Sequence, residues 1–194
     1  MAEAAVFLDR DGVLIEDRGL LTRVEDISVL DGVPQALASL KQAGFRLIVV
    51  SNQSVVARGL LTEAELETIH AEMVRLLQQA GAPKLDAIYV CPHHPEATLP
   101  AYRVECECRK PRPGALHRAA REHNLDLADS FMVGDRITDM ITGARAGCRT
   151  VWLTSGMHFA VPIVTLEPID SSVQPDFTCP DLAAAAEWII KVKW

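Results

Sequence analysis

Short apolar runs that each halt at a polar cluster recur along this chain, separated by stretches with helical spacing. Ala4 to Leu8, Phe45 to Val50, Ala87 to Val90, Ser130 to Val133 and Thr150 to Leu153 are such runs, and their length suits strands. Val33 to Ala43 carries apolar residues at helical spacing, and Gly44 then supplies a stop. Thr62 opens a long helix with Glu65 as its capping-box partner, and Gly81 closes it. Pro113 to His123 and Ile137 to Ala146 read as helices, and Asp181 caps a last one through Ile190. This alternation predicts an α/β fold of three layers, α/β/α, built on a central parallel sheet. With no repeat or linker in view, residues 1–194 read as a single domain.

Parallel sheets of this kind bind ligands at the carboxyl ends of their strands. Two long connections follow strands there, Arg10 to about Leu30 and Cys91 to Arg112. Residues 155–180 also read as irregular, with Pro162, Pro168, Pro175 and Pro180, and suggest no function.

The strand ends carry chemistry. Asp9 and Asp11 stand two residues apart just past the first strand, followed by Gly12; alone they could be a solvated acidic turn. The second strand ends in Ser51-Asn52-Gln53-Ser54, a set of small hydrogen-bonding groups. Arg109-Lys110-Pro111 places two cations before a helix, and Gly134-Asp135-Arg136 ends the fourth strand, with Asp139 beyond it. One sheet edge therefore receives carboxylates, a hydroxyl and a lysine. Asp139 has two readings, orienting a metal shell or supporting the first turn of its helix.

A second constellation lies in the loop 91–108. Cys91-Pro92-His93 and Cys106-Glu107-Cys108 supply three thiols and an imidazole, a closed donor set suited to structural Zn²⁺, with His94 as a competing ligand. Zinc would also hold an otherwise irregular loop together.

Composition narrows the partners. A net charge of -7 without a basic stripe disfavours nucleic acid. No apolar stretch is long enough to span a bilayer, and the opening residues run straight into Asp9, Arg10 and Asp11, unlike a signal peptide. A cytoplasmic location is the expectation.

The order DxD, strand-end Ser, Lys, then GDxxxD resembles the haloacid dehalogenase (HAD) superfamily of phosphohydrolases, a Rossmann-like fold. That resemblance implies Asp9 as the nucleophile that becomes phosphorylated and Asp11 as general acid and base. It implies Ser51 and Lys110 on the phosphoryl oxygens, and catalytic Mg²⁺ held by Asp9, the backbone carbonyl of Asp11, and Asp135. More narrowly, SNQSVVARG, CPHHPE and CECRKPRPGAL are similar to the heptose-bisphosphate phosphatases, small members with a minimal cap and a zinc loop. These remove the 7-phosphate of D-glycero-D-manno-heptose 1,7-bisphosphate on the route to nucleotide-activated heptose for surface glycans such as lipopolysaccharide. The family pattern places His93 in the zinc set and His94 outside it.

With little cap, the resemblance implies that substrate contacts come from Asp17, Arg18, Gly19, Leu20, Ser51, Asn52, Gln53, Ser54, Arg109 and Arg136. Arg109 could clasp the distal 1-phosphate or the sugar hydroxyls. Arg58 is a further cation candidate, with a surface arginine at a helix start as the equal alternative. The chain departs from the family at Val13, Leu20, Val55, Val56 and Arg136, where threonine, an aromatic, glycine, isoleucine and lysine are usual. The rival enzyme is a histidinol-phosphate phosphatase or another small-ester phosphatase. A catalytically silent zinc-stabilised binding module is the rival of another class, and a monomer is implied.

The remaining residues read as structural. Cys148 and Trp152 are expected in the core, and Trp188 and Trp194 against the sheet. Cys179 has no assigned partner. His70, His117, His123 and His158 suggest surface or helix roles.

Overall fold

The computed structural model describes residues 2–154, 165, 169–170 and 172–193. Strands β1 (Ala5–Leu8), β2 (Arg46–Asn52), β3 (Ala87–Cys91), β4 (Phe131–Gly134), β5 (Arg149–Leu153) and β6 (Phe177–Cys179) form one sheet, ordered β3-β2-β1-β4-β5-β6. Every pairing in it is parallel. The helices are α1 (Val33–Gln42), α2 (Glu63–Gln79), α3 (Gly114–His123), α4 (Ile137–Ala146) and α5 (Leu182–Val192).

Strand pleating divides β1 between two cores. Val6 and Leu8 join α1, α2 and α5 through Leu37, Leu40, Ile69, Met73 and Ile189. Ala5 and Phe7 pack on the other face with Leu116 and Ala119 of α3 and Met132 of β4. Both faces of the inner strands are thus covered, which is why β1 is apolar at every position and fully buried. The sheet order reverses between β1 and β4, so their carboxyl ends diverge into a crevice. Asp9 and Asp135 follow those two ends directly.

The helix signals appear as the sequence predicts. Thr62 and Glu65 form a complete capping box on α2, and the Asp181 side chain accepts from Ala184 N at the start of α5. β2 runs two residues past the apolar stretch, carrying Ser51 and Asn52 in the ladder with β3.

Two expectations need correction. Phe177–Cys179 is not irregular but a sixth strand, three residues long between prolines and paired with Val151–Leu153. Trp152 is half-buried because it faces outward at the β5–β6 pair. Of the two roles expected for His70 the structure shows the helical one, on α2, with the side chain buried. The long connection after β1 folds on itself: Glu16 N donates to Ser28 O and Leu30 N to Leu14 O, making a narrow flap. Trp188 stacks on Phe177 at 4.7 Å and meets Phe131 edge-on, so α5 is pinned to the sheet. Cys148 and Cys179 are buried. His158 and Trp194 lie outside the described residues. Among the described residues no helix is long and apolar enough to cross a membrane.

Candidate active site

At the crevice floor a lysine stands between two carboxylates. Lys110 Nζ lies 2.9 Å from Asp9 Oδ2 and 2.6 Å from Asp139 Oδ1, and donates to Val50 O at 3.0 Å. Burial alone would push the ammonium pKa down, but the charges of Asp139 and Asp9 outweigh it and hold Lys110 above its ordinary value. Burial likewise raises Asp139, to about 6, against the pull of Lys110. The pair is therefore ionised near neutrality. Asp139 also accepts from Arg136 N, so it both contacts Lys110 and closes the first turn of α4. Gly134 makes room for it, because a Cβ there would stand 2.3 Å from Asp139 side-chain atoms.

Asp135 lies beside this pair, and both of its carboxylate oxygens are buried without a hydrogen-bond partner. Burial, then the charges of Asp9 and Asp139, pushes its pKa up to about 8. Two orphaned oxygens next to a second carboxylate fit a hard divalent cation, which takes oxygen ligands. Asp9, Asp135 and Asp139 could offer oxygens to one ion. Asp139 is already engaged by Lys110 at 2.6 Å, which leaves Asp9 and Asp135 as the better donors.

The second strand end builds a scaffold. The Asn52 carboxamide bonds the Lys110 backbone twice, Nδ2 to Lys110 O and Lys110 N to Oδ1, each at 3.0 Å. Its side chain thus aims Lys110 while itself lining the cleft. Gln53 Nε2 donates to Asp11 Oδ2 and to Ser51 Oγ, both at 2.9 Å. Because Ser51 Oγ accepts there, its own proton can be donated into the cleft.

The walls come from the flap and the cysteine loop. Asp17 is buried, accepting from Gly19 N and from Arg136 Nη2 at 2.8 Å each, which ties the flap to the end of β4. Gly19, Leu20 and Ser54 line the cleft with them. Across it stand Arg109 and His94, with Arg109 Nη1 donating to His93 O at 2.9 Å. His94 Nδ1 accepts from Glu96 N, so its Nε2 carries the ring proton. Arg18 is not brought in; it is half-exposed and paired with Glu16 on the outer side of the flap. Arg58 does not line the cleft, although its charge helps to hold His94 and Arg109 below their ordinary pKa values, behind burial in both cases. Thr138 and Thr165 line it unforeseen, and no pattern in the sequence marks Thr165.

The cysteine loop closes on itself. Donor atoms of Cys91, His93, Cys106 and Cys108 all lie within 4.8 Å of one another, and His94 is not in the group. The three sulfur–sulfur and sulfur–nitrogen separations at Cys106 and Cys108 are 3.3, 3.5 and 3.6 Å. A zinc tetrahedron with bonds of about 2.3 Å has edges of about 3.8 Å, so the cluster fits that ion. Hydrogen bonding to Cys108 raises the Cys91 thiol, burial raises Cys106, and the Cys91 hydrogen bond lowers Cys108. A cation is what would let all three ionise together. Gly114, at the start of α3, packs so closely on the loop that a Cβ would meet Glu107 O at 2.4 Å.

Fold and site together define a phosphohydrolase of the HAD-like class. The HAD-hydrolase-like family model matches residues 107–185. A D-glycero-beta-D-manno-heptose-1,7-bisphosphate 7-phosphatase of Photorhabdus laumondii is 45% identical over 70% of this chain and 72% of its own length. The enzyme of the same name from Escherichia coli K12 is 38% identical over 96% of the chain and 87% of its own length. The crystal structure of D,D-heptose 1,7-bisphosphate phosphatase from B. bronchiseptica, complexed with magnesium and phosphate, superposes with a TM-score of 0.78. It is 34% identical, covering 97% of this chain and 98% of that one. The chain belongs to the heptose-1,7-bisphosphate 7-phosphatase family.

Proposed function

We propose that this enzyme removes the 7-phosphate of D-glycero-β-D-manno-heptose 1,7-bisphosphate, with Asp9 as the nucleophile. The observation that carries this reading is Asp9 at the switch-point crevice, 2.9 Å from Lys110 and beside the unpartnered carboxylate of Asp135. The named relatives act on that substrate, and Arg109, tethered to the cysteine loop at the cleft wall, is a suitable partner for a second phosphate.

In the first half-reaction an Asp9 oxygen attacks phosphorus in line. The phosphorus–ester oxygen bond breaks, and the leaving alkoxide takes a proton from the Asp11 carboxyl. In the second, the Asp11 carboxylate takes a proton from water, whose oxygen attacks the phosphorus and releases phosphate and free Asp9. Lys110 offsets the charge that a carboxylate meets on approaching a phosphate, and the Ser51 hydroxyl donates to a phosphoryl oxygen. Mg²⁺, held by Asp9, Asp135 and the Asp11 backbone carbonyl, would supply further charge neutralisation there. The flap residues Asp17, Gly19 and Leu20 and the cations Arg109 and Arg136 would seat the sugar.

Phosphate release with Mg²⁺ from both anomers of the heptose bisphosphate, and from histidinol phosphate, tests the substrate. The β-anomer should be turned over fastest. Faster release from histidinol phosphate would keep the chemistry and overturn the substrate and the role of Arg109.

Zn²⁺ in the Cys91, His93, Cys106, Cys108 cluster would act as a structural bolt, because site formation is linked to folding. A zinc chelator should lower the melting temperature by at least about 5 °C, and metal analysis of the untreated protein should find one zinc per chain. An unchanged melt and no zinc would refute the bolt.

A further inference from the structure

Arg10, between the two cleft carboxylates in sequence, is the largest fully buried side chain of the described protein and does not line the cleft. A buried guanidinium is costly unless its donors are met, and here each edge has an acceptor. Nε and Nη2 fork onto Asp11, at 3.1 Å to Oδ2 and 2.9 Å to Oδ1. Nη1 lies 3.3 Å from His70 Nε2. Guanidinium accepts nothing, so Nε2 must carry the lone pair, and the ring is neutral with its proton on Nδ1. Burial and then the Arg10 charge push His70 down to about 4, which agrees with that state.

His70 occupies a core position. Leu66, Ile69, Met73 and Leu77 are the other buried residues of α2, and His70 stands on their face where a leucine would pack equally well. A polar ring there costs packing unless the acceptor is used.

We infer that Arg10 and His70 form a brace that orients the acid–base carboxylate of Asp11, with His70 as a positioning residue acting from outside the cleft. The inference rests on the phosphatase reading of Asp11. Arg10 from one side and Gln53 from the other, at 2.9 Å, hold both Asp11 oxygens, so the rotamer has little freedom. Without the His70 acceptor, Nη1 of the fully buried Arg10 would lose its partner, and the fork would shift to find another. Asp11 would shift with it.

A brace on the general acid predicts a dependence on the leaving group. An alkyl alkoxide needs the proton of Asp11, whereas p-nitrophenolate leaves without it. H70L removes the acceptor; H70Q returns one at the Nε2 position. Single-turnover phosphorylation of the enzyme should fall about 30-fold in H70L with an alkyl phosphate, at unchanged KM, and by less than about threefold with p-nitrophenyl phosphate. H70Q should recover the alkyl rate to within about threefold of wild type. Should H70L fail to fold, H70N, whose amide stops at the Nδ1 position, should show the same selective loss against H70Q. Equal losses on both esters, or no loss on either, would overturn the brace. A wild-type protein that cleaves neither ester would sink the phosphatase reading itself.

Discussion

Asp9→Asn should lower phosphate release by on the order of 10⁴-fold or more and abolish the acid-trapped phosphoenzyme, with the fold intact. The amide has nearly the shape of the carboxylate but cannot form an acyl phosphate. Local hydrogen bonding tolerates the exchange, since Asp9 Oδ1 accepts from Arg10 N at 2.7 Å and an amide oxygen accepts equally well. Lys110 keeps Asp139 at 2.6 Å. When no metal is present, the variant loses the Asp9 charge that supports Lys110 but is relieved of the repulsion by which Asp9 raises Asp135 and Asp139. The two effects offset each other. The metal-free melting temperature should therefore not fall. Stabilisation by added Mg²⁺, which follows from binding to the folded state, should shrink as one ligand loses its charge. Wild-type turnover in Asp9→Asn would remove the nucleophile assignment; a lost fold would show that the carboxylate has a structural role instead.

Much of this arrangement was legible before the fold was seen, for a physical reason. A strand buried on both faces must be apolar throughout, so β1, β2 and β4 announce themselves, and their ends are marked by the first polar residue. That is why Asp9, Ser51 and Asp135 could be placed together. β6 escaped because three residues between prolines are too few for a period to show, and its strand character comes from pairing with Val151–Leu153. The resemblance implies Arg18 at the site together with Asp17, but neighbouring residues of a loop point in different directions. Arg18 turns outward to Glu16 while Asp17 turns inward to Arg136.

Asn52 and Gln53 show a different limit. Their type and position suggest ligand contacts, and both line the cleft, but their amides also bind the Lys110 backbone, Asp11 and Ser51. Sequence places an amide at a strand end but does not say whether protein or ligand will satisfy it. His70 had a signal that went unread. It follows Leu66 by four and precedes Leu77 by seven, squarely on the apolar stripe of α2. A histidine on such a stripe asks for a buried partner, and Arg10 is that partner.

Lys110→Ala should cost both activity and stability, unlike Asp9→Asn. Its ammonium is the shared donor for Asp9, Asp139 and Val50 O, all in a nearly dry pocket. Deleting it strands the fully buried Asp139 without its cation, and breaking such a pair destabilises by about 3–5 kcal/mol. Turnover should fall at least about a hundredfold, since Lys110 is the fixed cation nearest the nucleophile. Excess Mg²⁺ should recover part of the melting temperature, because an ion on Asp9 and Asp135 offsets the local negative charge. It should not recover turnover, because the cation would no longer be where charge develops on the phosphoryl oxygens. Lys110→Met keeps the aliphatic volume and should show the same loss of rate with the packing preserved. Near-normal turnover in Lys110→Met would defeat the catalytic role and leave Lys110 as a structural counter-ion to Asp139.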